Sequence, residues 1–197
     1  ERYNQTIKKI SSTNFTGEKN LDVSVMQIIQ LAAETTNCNQ VSYWKCRSDL
    51  ITCENLYNID NNIFTKGYEI NKKEYPIYFE AIKSNNQITA ANVYENKALC
   101  EFTDNYFVDF KIESLLDIPI FSNGQLSGII CFESIGTQKK WDNDDISFGR
   151  TIADLISLNV VSHSRYESEK KLEYKSELLS AMTLCTEKFL NSNDITD

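Results

Sequence analysis

The sequence has a single histidine, His163. Ser-His-Asp and Cys-His catalysis and His-rich metal sites would all depend on that one residue. It falls just past the last apolar turn of a helical stretch, and no Gly-x-Ser-x-Gly accompanies it. It therefore reads as a solvated or half-buried helix residue, not as a base or a haem ligand. No run approaches the ~18 apolar residues of a membrane span, and no signal peptide is visible. No stretch gathers Lys and Arg among aromatics, and 20 basic against 28 acidic residues give a net charge of -8. Nucleic acid is not an expected partner. A phosphate-cradling Gly loop is also missing.

The six cysteines, at 38, 46, 53, 100, 131 and 185, form no CxxC. They read as free thiols in a reducing compartment, with Cys100, Cys131 and Cys185 as small core residues. Asp142-Asn143-Asp144-Asp145 lacks the Gly and distal Glu of a calcium loop and is better explained as a helix cap. The 41% hydrophobic and 24% charged composition is that of an ordinary globular protein. A length of 197 residues suits one domain with long extensions, or two small ones.

What is present begins with SLLDIPIFSNGQLSGIICFES (114–134), two apolar runs flanking Asn123-Gly124. Asn-Gly tolerates the positive φ of a type I′ turn, so the stretch predicts a hairpin. A strict two-residue turn pairs Ser122 with Gln125, Phe121 with Leu126, Ile118 with Ile129 and Leu116 with Cys131. One face then holds Leu115, Phe121, Leu126, Ile130 and Phe132, the other Leu116, Ile118, Ile120, Ile129 and Cys131. Both faces are apolar, so both need cover.

Around the hairpin, strands are expected at 41–46 and 50–57, a helix at 75–85 opened by Pro76, a short strand or loop at 87–93 and one helix over 96–112. A helix is expected from Asp22, and another from Asp142 to about Leu190. The latter is apolar at first (Phe148, Ile152, Leu155, Ile156, Val160), then charged over 164–177, then lined by Tyr174, Leu178, Ala181 and Cys185 at coiled-coil spacing. Tyr3, Ile7 and Ile10 form a similar seam at the other end, interrupted by 12–20. The chain opens at Glu1 in mid-pattern and reads as a segment of a longer protein. Seven aromatics cluster between the two halves of the sheet: Tyr75, Tyr78, Phe79, Phe102, Tyr106, Phe107 and Phe110. Most pack a core, and some are candidates to line a pocket. The candidate ligand-binding residues are Trp44, Phe79, Phe107, Phe110 and Cys131.

From Val41 to about Arg165 the sequence resembles a GAF domain, in particular those of bacterial sensor histidine kinases and related signalling proteins. The resemblance rests on VSYW (41–44), YPIYFEAI (75–82), ITAANV (88–93), SLLDIPI (114–120), the series Gly124, Gly128, Cys131 and Glu133, and then Trp141, Asp145, Phe148, Ala153 and Asp154. It implies an α+β fold: a central antiparallel sheet covered by helices on both faces, with long terminal signalling helices. It implies a helix and linker over 1–20, a sensory domain over 21–163, and a connector over 164–197. It further implies a non-catalytic, cytoplasmic module of a histidine kinase or cyclase, free or membrane-anchored, that binds a small molecule or transmits a signal as a homodimer through its terminal helices.

The pattern departs from specialised members. Asn96, Lys97 and Phe102 are followed too soon by Asp104 for the cyclic-nucleotide signature. No Cys precedes a His, so no bilin is expected, and no haem. Asp117-Ile118-Pro119 spells a phytochrome tripeptide but lies in a strand. The tight cysteine cluster of sulfoxide-reducing members is not reproduced, which leaves a thiol reductase using Cys46, Cys53 or Cys100 as one rival, and a ligand-free dimerisation scaffold as the other.

Overall fold

The computed structural model describes residues 1–12, 21–84, 87–122 and 124–193. The hairpin is the centre of the fold. Strands β6 (Ile112–Ser122) and β7 (Gln125–Ile135) pair antiparallel over their length, and β1 (Gln40–Cys46) lies on the other side of β7. Beyond β1 comes β2 (Leu50–Asn58), which pairs with two three-residue strands, β3 (Ile63–Thr65) and β4 (Glu69–Asn71). Strand β5 (Ile88–Ala90) closes the far edge against β6. The sheet has seven strands in the order β3-β2-β1-β7-β6-β5, with β4 beside β2.

The turn lies where the Asn-Gly signal put it, with Gly124 at φ +74°, though Asn123 itself is outside the described residues. Ser122 pairs with Gln125 and Phe121 with Leu126, as expected, but Ile120 then pairs with Gly128. Ser127 is an extra residue in β7, a bulge whose hydroxyl donates to the Ile120 carbonyl at 3.0 Å. A one-residue slip reverses the faces below it. Leu116, Ile118, Ile120, Ile130 and Phe132 therefore share one face, and Leu115, Ile129 and Cys131 the other. This corrects the assignment made from an unbroken ladder.

The first face packs on three helices: α1 (Arg2–Ser12), α2 (Leu21–Thr36) and the start of α5 (Asn143–Asn193). Helix α5 has 51 residues, about 76 Å at 1.5 Å per residue. Its start is capped reciprocally: Asp142 Oδ1 accepts from Asp145 N at 2.8 Å, and Asp145 Oδ2 accepts from Asp142 N at 3.3 Å. Phe148, Ile152 and Ile156 are buried, whereas Leu158, Leu172, Leu179 and Phe189 are exposed. Ile156 faces its own core and not an outer surface.

Helix α1 packs its seam on the chain's own core. Ile10 is fully buried, Tyr3 and Ile7 pack on the same core, Tyr3 stacks on Phe148 at 4.7 Å and donates its hydroxyl proton to Asp145. Among the described residues no helix is long and apolar enough to cross a membrane.

Candidate functional site

The second face of the sheet is roofed by α3 (Pro76–Ser84), two 3-10 turns (Val93–Glu95 and Lys97–Phe102) and α4 (Tyr106–Phe110). The stretch 96–112 is thus not one helix. Asparagines break it into pieces: Asn96 accepts from Ala98 N and Asn105 from Tyr106 N, each side chain satisfying an orphan amide at the start of a turn. Lys111, in the left-handed region at φ 56°, ends α4 and starts β6. Glu101 ties the roof together by accepting from the first amides of α3, Ile77 N at 3.1 Å and Tyr78 N at 2.9 Å.

Between roof and sheet lies a cavity of about 40 Å³. Trp44, Phe79, Phe107 and Cys131 line it, with Tyr78, Phe102 and Tyr106. The fifth candidate, Phe110, does not: it is 40% exposed, on the outer side of α4 against Tyr106 and Tyr68. A five-residue helix turns only one flank inward, and Phe107 occupies it. About 10–15 Å³ of such water-accessible space holds one water, so the cavity as formed has room for a few waters or a small organic group.

Two carboxylates stand in this apolar setting. Asp117 and Glu133 line the cavity and are 2% and 0% exposed. Asp117 pairs with Cys131 and Leu115 with Glu133, so the two acids sit diagonally on adjacent strands, with Cβ atoms about 7–8 Å apart. Tyr78 donates to Asp117 Oδ2 at 2.6 Å. Gln40 donates to Glu133 Oε2 at 2.6 Å and Tyr106 to the same oxygen at 3.3 Å. Asp117 Oδ1 and Glu133 Oε1 are buried with no hydrogen-bond partner. Among the described residues no ion pair involves either acid. Burial pushes Asp117 up to about 6, against hydrogen bonds from Cys131 and Tyr78, and pushes Glu133 up to about 7, against the hydrogen bond from Gln40 and with the neighbouring Asp117 charge adding.

The thiols are held neutral. Burial raises Cys46 to about 11, Cys53 to about 12 and Cys131 well above its ordinary value. A thiol so shifted is a poor nucleophile. Cys46 pairs with Ile51 and Cys53 with Trp44, a diagonal relation that leaves Cβ atoms about 7–8 Å apart, too far for a disulfide. All six cysteines are free, and Cys100 and Cys185 are exposed rather than in the core. His163 lies half-buried on α5, 4.0 Å from Glu167 and outside the cavity lining.

A family model described as the GAF domain matches residues 20–160. The chain belongs to the GAF family. Solved structures with the same fold include the phycoerythrobilin-bound GAF domain of a cyanobacterial phytochrome, 12% identical, with a TM-score of 0.69 over 83% of this chain and 97% of that one. The GAF domain of a phosphoenolpyruvate-protein phosphotransferase from Coxiella burnetii is 14% identical, with a TM-score of 0.62 over 85% and 95%. The free methionine-R-sulfoxide reductase of Neisseria meningitidis, solved with its substrate, is 13% identical, with a TM-score of 0.58 over 84% and 89%. No curated protein sequence matches the chain. In this GAF domain the site's acids were missed by sequence reasoning. Their signal was there: one acid inside each of two apolar strands, SLLDIPI and IICFES, where alternation offers no wet face.

Proposed function

We propose that this GAF domain is a non-catalytic sensory module of a bacterial signalling protein of the two-component kinase type. A small molecule enters the cavity, and β6 and β7 pass the displacement to α5. The observation that carries this reading is the two-sided use of one hairpin. Asp117 and Cys131 face the cavity, while their neighbours Ile118 and Phe132 face α5. The contact there is tight: a Cβ on Gly149 would lie 2.5 Å from Ile118 Cδ1 and 3.3 Å from Phe132 Cε2. A packed interface of this kind shifts as a unit rather than yielding continuously. GAF domains of photoreceptors and of a phosphotransferase share the fold, which supports a regulatory role.

The module acts as a homodimer. The exposed residues of α5 suggest a longer seam than Tyr174, Leu178, Ala181 and Cys185. Leu158, Val161, Leu172, Leu179, Met182 and Phe189 are all exposed and all fall on a and d positions of one heptad frame. Helix α1 is committed to its own core, so α5 carries the association.

The raised pKa values of Cys46 and Cys53 disfavour a reductase built on those two thiols. The small cavity favours a second reading, a scaffold whose pocket is filled by its own side chains. A melting-shift screen of metabolites separates the two. The sensory reading expects a compound that raises the melting temperature of the wild type and not of Phe107→Ala; the scaffold expects none.

A further inference from the structure

The cavity combines two features. It is lined by aromatic side chains and by two carboxylates, and among the described residues neither carboxylate makes an ion pair. Asp117 Oδ1 and Glu133 Oε1 are both buried and accept no N–H or O–H bond, with only the weakly donating thiol of Cys131 beside the two acids among the described residues. Buried carboxylates are ordinarily paired, hydrogen-bonded on both oxygens or bound to a metal. Among the described residues no group of acids, cysteines and histidines is arranged to hold a metal ion. The remaining complement to two acids among aromatic rings is an organic cation: the acids accept its N–H bonds, and the ring faces attract its charge.

We propose that this cavity recognises a primary ammonium group on a short apolar stem, with Asp117 and Glu133 as its acceptors and the rings of Trp44, Phe79 and Phe107 around it. The assignment rests on the sensory reading and names its ligand class. The water-accessible space of about 40 Å³ admits a small ammonium compound. Specificity for charge follows from chemistry: a neutral alcohol offers one O–H donor and no charge, so it leaves at least one of the two oxygens unmatched.

Binding should strengthen as pH rises. The groups facing the acids are Tyr78 on α3, Tyr106 on α4, Cys46 and Cys53 on β1 and β2, and Cys131 on β7; burial keeps all of these protonated at neutral pH. Only the two acids change charge between pH 5 and 8, and the cation requires them ionised.

The test is saturation-transfer NMR on the full chain with methylammonium chloride in 150 mM NaCl, with methanol as the neutral isostere. At pH 8 transfer is expected to the methylammonium methyl and not to methanol. It should weaken by about tenfold or more at pH 5, and by a similar factor at pH 8 in Asp117→Asn and in Glu133→Gln. Equal transfer to both probes, no transfer to either, or transfer indifferent to pH and to both substitutions would overturn the assignment. If a variant fails to fold, the wild-type comparison of probe and pH decides alone. An uncharged hit in the metabolite screen, with no methylammonium binding, would overturn the cation and leave the sensory reading standing.

Discussion

Asp117 and Glu133 should make this protein less stable as pH rises from 5 to 8. A carboxyl whose pKa is raised on folding holds its proton more tightly in the native state. Its stabilising contribution is complete below the unfolded pKa and is lost as pH rises through the folded one. For Asp117 that window runs from 3.8 to about 6, and for Glu133 from 4.5 to about 7. At about 1.4 kcal/mol per pH unit, each acid costs the fold roughly 3 kcal/mol once ionised. The sum is an upper bound, because the two charges interact and the pocket can relax or admit water. Even half of it is large against a typical folding stability of about 5–15 kcal/mol. The assay is urea unfolding at pH 5, 6, 7 and 8, comparing midpoints at constant slope. The wild type should lose stability from pH 5 to about pH 7 and level off by pH 8, and Asp117→Asn with Glu133→Gln should flatten the profile and be the more stable protein at pH 8. A wild type that is equally or more stable at pH 8 than at pH 5, or a double variant with the wild-type slope, would refute the reasoning.

Further expectations concern packing and assembly. Gly149→Ala gains about 1 kcal/mol of helix propensity but drives a methyl into Ile118 and Phe132, so a net loss of about 1 kcal/mol is expected by thermal unfolding; a gain would mean the helix-to-sheet contact is slack. Phe107→Ala should cost about 3–5 kcal/mol in urea unfolding, whereas Phe110→Ala, half outside the roof, should cost about 1 kcal/mol. Light scattering at micromolar concentration should give twice the chain mass, Leu172→Glu with Leu179→Glu should return the monomer, and Ile156→Glu should unfold the protein instead, because that residue is fully buried.

Much of this architecture could be read from the chain, and the failures have physical causes. The Asn-Gly turn and the two apolar faces of the hairpin are local chemistry and were legible. The bulge at Ser127 was not, since Ser-Gly in a strand fits a regular ladder as well as an irregular one, yet it decides which face every residue below it occupies. Strands β3 and β4 exist only through pairing with β2 and carry too few residues for a period to show. The stretch 96–112 reads as one helix because its apolar spacing is helical; the capping asparagines at 96 and 105 are the overlooked signal. The aromatic walls announced themselves by clustering. The acids between them were harder to see, because only the two-sided cover of the sheet turns an acid in a strand into a buried one. The seam at Tyr3, Ile7 and Ile10 was visible as a pattern, but a pattern does not say whether its complement is a partner or the chain's own core.

The central claim is that occupancy of the cavity is felt by α5 across the sheet. It is tested most directly by amide hydrogen exchange on the full chain, with and without a saturating amount of the compound that gives the largest melting shift. The account predicts changed exchange both in the roof and in the first turns of α5, from Phe148 to Ile156, where the helix packs against β6 and β7. Protection confined to the roof and the cavity strands, with α5 unchanged, would contradict it.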